Sequence, residues 1–224
     1  MHLPPLFTET DRTVLTDFIK THPLGMLISI KDGTPQADLL PFYVVQKDDA
    51  LIAHFAKANP LAEYVNGTDV MILFYGEEGY ITPNWYPSKH VHHRHVPTWN
   101  YEVVQVRGRA GVFDDVKGLM RAVGTLTNIH ESTQDTPWKM KDAPTDYLAD
   151  EIQGILGLTV DVGEMVGRFK LSQNREQGDF DSVVQGLTDS GQVGLARSLL
   201  GQGSDDFKRK RRVGGESYSP RFNI

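Results

Sequence analysis

Cysteine is missing altogether from this chain of 224 residues. Its absence rules out a secreted disulfide scaffold and any zinc-thiolate site, and it permits a reducing compartment. Stability has to come from a hydrophobic core, which a chain of this length can build without staples. Long apolar runs are missing as well, since none approaches the roughly 18 residues that a membrane helix needs. The opening Met1-His2-Leu3-Pro4-Pro5 lacks the basic-then-apolar pattern of a secretory leader. The expectation is a cytoplasmic protein with no membrane partner. Positive charge is scarce: 23 Lys and Arg against 29 Asp and Glu leave a net charge of -6, so nothing attracts nucleic-acid phosphates globally. DNA as a partner rests on local clusters alone. These are Arg107 with Arg109, Arg168 with Lys170, and the run Lys208 to Arg212 in a polar tail, a setting in which such runs are usually solvated. GxSxG, HExxH, GxGxxG and Walker A motifs are all absent. No residue is assigned a catalytic role.

What is present reads as a β-rich chain. Val14, Leu15, Phe18 and Ile19 recur at helical spacing, and His22-Pro23 stops them, which predicts a first helix over about residues 10–20. Strands are predicted over 24–30, 36–45, 50–55 and 70–75, with one or two helical turns within 61–65. Gly76-Glu77-Glu78-Gly79 reads as a turn into Tyr80-Ile81-Thr82. Two further strands, 96–106 and 107–113, make six or more, the pattern of a barrel or sandwich whose closure removes edges. A helix over 115–130, another from Pro144 to near Gly157, late strands 158–162 and 166–171, and two small helical patterns around Val183 and Leu195 follow. There is no internal repeat and no linker. One domain over 1–200 and a polar, flexible tail over 201–224 are expected.

The most informative stretch is Tyr80-Ile81-Thr82-Pro83-Asn84-Trp85-Tyr86-Pro87-Ser88-Lys89, followed by Val96-Pro97-Thr98-Trp99-Asn100-Tyr101. Two of the three tryptophans fall here among hydroxyls, amides and a lysine. Flat faces with a few placed polar groups suit a planar heteroaromatic ligand. The same residues suit barrel core and turn chemistry, and both readings stay open. Ala53-His54-Phe55-Ala56-Lys57-Ala58-Asn59-Pro60 runs from a strand into a helix start, where free N-H groups and Lys57 would favour an anion such as phosphate. A lysine at a strand end is equally at home in solvent. His90-Val91-His92-His93-Arg94-His95 holds four imidazoles in six residues. If extended, His90 and His92 share one face and could ligate zinc or haem iron, but no local carboxylate or thiolate completes a set, and no metal site is assigned.

Taken in order, Phe18-Ile19 with His22-Pro23-Leu24, Ala56-Lys57-Ala58-Asn59-Pro60, the Tyr80–Tyr86 and Val96–Tyr101 segments, Pro137-Trp138-Lys139 with Asp142-Ala143-Pro144, and Lys170-Leu171-Ser172-Gln173-Asn174-Arg175 resemble the PaiB family. Its members are named as negative transcriptional regulators of protease synthesis and sporulation. The resemblance implies a mainly β fold, the FMN-binding split β-barrel with peripheral α-helices, related to pyridoxamine phosphate oxidase and flavin reductases. It implies a homodimer with FMN at the interface. Carried over by residue, Lys57 beside His54 and Asn59 would meet the FMN phosphate. Thr82, Trp85 and Lys89 would lie on or after a neighbouring strand, and Trp99 with Asn100 would approach the ring. The implied function is flavin binding, serving a redox-linked transcriptional regulator or a flavin-dependent oxidoreductase. The alternative is a haem-binding split barrel that uses the histidine loop.

Overall fold

The hydrophobic pattern resolves into eight strands and six α-helices in a computed structural model that describes residues 1–201. The basic run at 208–212 and the rest of the tail from 202 lie outside the described residues. In chain order the elements are β1 (Thr8–Glu9), α1 (Arg12–Thr21), β2 (Leu24–Lys31), β3 (Thr34–Pro41), β4 (Tyr43–Val45), β5 (Ala50–Ala56) and β6 (Asp69–Ile81). Then come α2 (Lys89–His92), β7 (Thr98–Phe113), α3 (Val116–Glu131), α4 (Thr145–Gln153), β8 (Ile155–Lys170), α5 (Gln177–Asp189) and α6 (Val193–Gly201). The strands follow the order β3-β2-β6-β7-β8-β5-β4, with β1 added to β8. The fold is mainly β, a split barrel whose hydrogen-bonded ladder stays open, so β3 and β4 remain as its ends. They are also consecutive in sequence, separated by Phe42 alone, whose N-H is taken by the Pro23 carbonyl at 2.8 Å. The expected strand over 36–45 therefore divides there.

The chain divides into two compact units, one of residues 16–74 and 105–165, the other of residues 1–15, 75–104 and 166 onwards. In the first unit β2 and β3 form a hairpin closed by Asp32 and Gly33, both at positive φ, the signature of a two-residue turn whose twist matches the strands. Alternation along β2 sends Leu27 into the core with Leu51, Ile72 and Phe74. Its other face carries Leu24, Met26, Ile28 and Ile30. Register sets Leu39 beside Met26 on β3, and Met71 and Leu73 beside Ile28 and Met26 on β6. Leu24, Ile30 and Leu39 are 57%, 53% and 61% exposed, so this apolar sheet face is open.

In the second unit α5 and α6 bury Phe180, Val183, Leu187 and Leu195 with Ile81, Tyr86 and Phe169. Here the predicted turn at 76–79 is not formed. Gly79 lies where a Cβ would come within 2.3 Å of the Gln192 side chain and 2.7 Å of Leu195. It is a point of close approach to α6 inside an unbroken β6. The expected pairs of strands over 96–113 and 158–171 are likewise single long strands, since neither Gly108 nor Gly163 takes a positive φ that would turn the chain. Among the described residues no helix is long and apolar enough to cross a membrane.

Candidate functional site

The eight residues singled out in the sequence divide between the two units. His54, Lys57 and Asn59 belong to the first. His54 sits on β5 opposite Gly157, with its Nδ1 buried and unpartnered, and burial lowers its pKa. Neutral imidazole is the favoured form there. Lys57 follows β5, exposed, its backbone N-H given to Gly154 and its ammonium without a carboxylate among the described residues. The expected helix start after it is a 3-10 turn, Pro60–Glu63, capped by Asn59. The Asn59 amide oxygen accepts from Leu61 N at 2.9 Å and its nitrogen donates to Asp38 at 2.8 Å.

Thr82, Trp85, Lys89, Trp99 and Asn100 belong to the second unit. Thr82 caps a 3-10 turn, Pro83–Trp85, accepting from Asn84 N, and Lys89 donates to the Asn84 side chain. The Trp85 indole packs on the bare backbone of Gly186 in α5, where a Cβ would fall 2.5 Å from the ring. Trp99 is 53% exposed and meets Tyr80 edge-on at 6.2 Å. Asn100, on the opposite face of β7, is buried; it donates to Ser172 Oγ at 2.8 Å and leaves its oxygen unpartnered.

The histidine loop is not extended. α2 occupies Lys89–His92, and His93 is left-handed. His95 turns inward to a polar network with Ser88, Arg175 and Asp179. Ser88 Oγ lies 2.7 Å from His95 Nε2 and 2.6 Å from Asp179 Oδ2, while Arg175 reaches His95 Nδ1 at 3.2 Å and stacks over Tyr86 at 4.4 Å. Because Arg175 only donates, Nδ1 accepts; Nε2-H then donates to Ser88, whose hydroxyl donates to Asp179. Burial and Arg175 lower the His95 pKa against the opposing pull of Asp179, so the ring stays neutral. Both ring nitrogens are engaged, and among the described residues no group of three His, Asp or Glu side chains could hold a metal ion.

Two features of this unit carry no motif in the sequence. Glu102 on β7 is 1% exposed, and burial pushes its carboxyl up to about 7. Ser198 and the Glu77 backbone lie near enough to oppose this, yet neither carboxylate oxygen has a partner in hydrogen-bond geometry, so desolvation prevails. The second is a set of cations at the end of β8. Lys170 donates to Thr98 Oγ1, and its pKa is lowered by burial and by Arg168 and Arg175; the Arg168 guanidinium lies 5.4 Å over the Tyr101 ring. The sequence marks Arg168 with Lys170 as a basic pair and the Lys170–Arg175 segment by resemblance, but not the approach of Arg175 or the stacking on Tyr101. Arg107 and Arg109, by contrast, line a groove of about 780 Å³ in the first unit and are paired with Glu164 and Asp69, each at 3.2 Å.

A family model described as "Putative FMN-binding domain" matches residues 1–164. Protease synthase and sporulation protein PAI 2 of Bacillus subtilis is 29% identical over 190 residues, covering 84% of this chain and 89% of that protein. An Aspergillus fumigatus protein is 30% identical, covering 94% of this chain and all of its own length. Among solved structures, the FAD and heme binding protein of Mycobacterium smegmatis superposes with a TM-score of 0.57 at 18% identity, covering 73% of each chain. The flavocytochrome Anf3 of Azotobacter vinelandii does so with 0.55 at 14% identity, covering 75% of this chain and 72% of that one. At these identities the structures establish the fold alone.

Proposed function

The chain belongs to this family of FMN-binding domains, and from that premise we propose that it is a homodimeric flavoprotein whose flavin is FMN. One observation carries the placement of the ring: Trp99 and Tyr80 present open aromatic surface on the outward face of β7 and β6. An isoalloxazine offers flat area to these rings. In the other unit Lys57, an exposed cation with no carboxylate among the described residues, is the candidate that the resemblance offers for the flavin phosphate, with His54 and Asn59. Thr82 and Lys89, which brace the Pro83–Trp85 turn through Asn84, are assigned with Trp85 and Asn100 to the surroundings of the flavin ring.

The homodimer is supported by the open apolar face of β2, β3 and β6. A contiguous apolar sheet face beside an edge strand is what proteins cover by association. A bound flavin supplies electron or hydride transfer, and the chain positions it. Titration of the apo-protein with FMN tests the reading: quenched flavin fluorescence with a saturable shift in absorption is expected, and no uptake refutes it. Anaerobic mixing of the loaded protein with NADPH then separates an oxidoreductase, which bleaches, from a redox-linked regulator in the manner of the PAI 2 name, which does not.

A further inference from the structure

The end of β8 and the turn after it form a rigidly built cationic surface that the flavin reading does not use. Ser172 sits in the left-handed region at φ 60, which is strained for a residue with a Cβ. Gln173 pins it: fully buried, its side chain accepts from Leu171 N at 2.7 Å and donates to the carbonyls of Phe169 at 2.6 Å and Leu6 at 3.2 Å. Arg175 N closes the turn on the Ser172 carbonyl at 3.0 Å. Arg168 and Lys170 lie two residues apart on one face of β8, and Arg175, which reaches His95 and stacks over Tyr86, is near enough that both arginines disfavour charge on Lys170. Among the described residues none of the three has a carboxylate within ion-pair distance, whereas Arg107 and Arg109 do. Arg168 also keeps a buried Nε without an acceptor.

Like charges held together in a half-buried, pre-shaped site are costly unless an anion neutralises them. Arg168 and Lys170 alternate on one face of β8, and Trp99 and Tyr101 alternate on one face of β7; the stacking of Arg168 on Tyr101 brings the two faces into one surface. Cations beside open aromatic rings are the complement of a nucleotide, with phosphate on the guanidinium and ammonium and a ring on the aromatics.

We propose that Arg168, Lys170 and Arg175 form a phosphate subsite for a nucleotide whose ring lies against Trp99. The inference deepens the flavin reading and rests on it for the identity of the ring, while the subsite itself is set by the cations. The phosphate has two sources: FMN itself, whose phosphate would then lie here and not at Lys57, or a second nucleotide such as a reduced pyridine nucleotide that meets the bound flavin.

The test is calorimetric titration of the full chain and of its Lys170→Met and Arg168→Met variants with FMN, riboflavin, NADPH and inorganic pyrophosphate. Loss of a charge-assisted phosphate contact costs about tenfold in affinity or more. If the variants weaken FMN by that factor and leave riboflavin unchanged, the subsite holds the flavin's own phosphate. If both flavins bind as before while NADPH and pyrophosphate weaken, it holds a second nucleotide. Lys170→Arg keeps binding in either case, and Lys170→Gln with Arg168→Gln are the reading variants should the methionine variants not fold. Unchanged affinity for all four ligands in folded variants overturns the proposal, as does a wild-type chain that binds none of them. A wild-type chain that takes up no flavin but binds pyrophosphate in a Lys170-dependent way refutes the flavin reading and leaves the subsite standing.

Discussion

Replacing Glu102 with glutamine should flatten the pH dependence of stability. Glu102 is 1% exposed, and its carboxyl is raised from 4.5 to about 7 by burial. A raised acid binds its proton more tightly in the folded chain, so its contribution is complete below about pH 4.5 and declines as pH rises through 7. At about 1.4 kcal/mol for each pH unit between the two values, the loss amounts to about 3 kcal/mol. Glutamine has the shape of the protonated acid and cannot ionise. Glu102→Gln should therefore match the parent near pH 4.5 and exceed it by up to about 3 kcal/mol at pH 8, which for a chain of this size is about 6–12 °C in melting temperature. The assay is thermal or urea unfolding of both proteins from pH 4.5 to 8. His54 and His95, whose folded pKa values are lowered, add stability as pH rises toward the ordinary histidine value and none beyond it, the opposite trend. They are common to both proteins and cancel in the difference curve. A difference that stays constant across this range would refute the reasoning, for it would mean the carboxyl reaches water or a partner when it ionises.

Three further outcomes follow from the geometry. Lys57→Ala should weaken FMN by about 1.5–3 kcal/mol if its ammonium holds the phosphate; an unchanged affinity in the folded variant removes Lys57 from the site. Leu39→Lys puts a charge in the middle of the open face of β2 and β3, and sedimentation should show a monomer in place of a dimer, with little change in unfolding of the monomer, since Leu39 is already 61% exposed. Gly186→Ala forces a methyl to within 2.5 Å of the Trp85 indole, which should cost about 1–3 kcal/mol by overpacking and shift the tryptophan emission; an unperturbed melt would mean the indole is free to move.

Much of the secondary structure is local and was legible. The α3 helix, predicted over 115–130, spans Val116–Glu131 with Asp115 as its cap, because capping and an apolar stripe at helical spacing are properties of adjacent residues. The β2–β3 hairpin follows from Asp32-Gly33 for the same reason. Glycine misled in β6, β7 and β8, where it marks close packing or mid-strand continuity instead of a turn. In the site, the aromatic and hydroxyl residues of 80–101 were visible as a composition, but composition does not say which ring is covered. Gly186 covers Trp85, while Trp99 stays open.

By itself the sequence determined the family, the mainly β class and the near-bounds of α1, β2, β5 and α3, since these rest on residue order, hydrophobic period and caps within a few residues of one another. Only the tertiary structure decided which polar groups are buried and which charges face each other. Ser88 meets Asp179 across 91 positions, Asn100 meets Ser172 across 72, and Arg175 meets His95 across 80. Strand phase alone turns Glu102 inward and Trp99 outward. Desolvation and Coulomb interaction depend on distance in space and on access to water, and neither is a function of spacing along the chain.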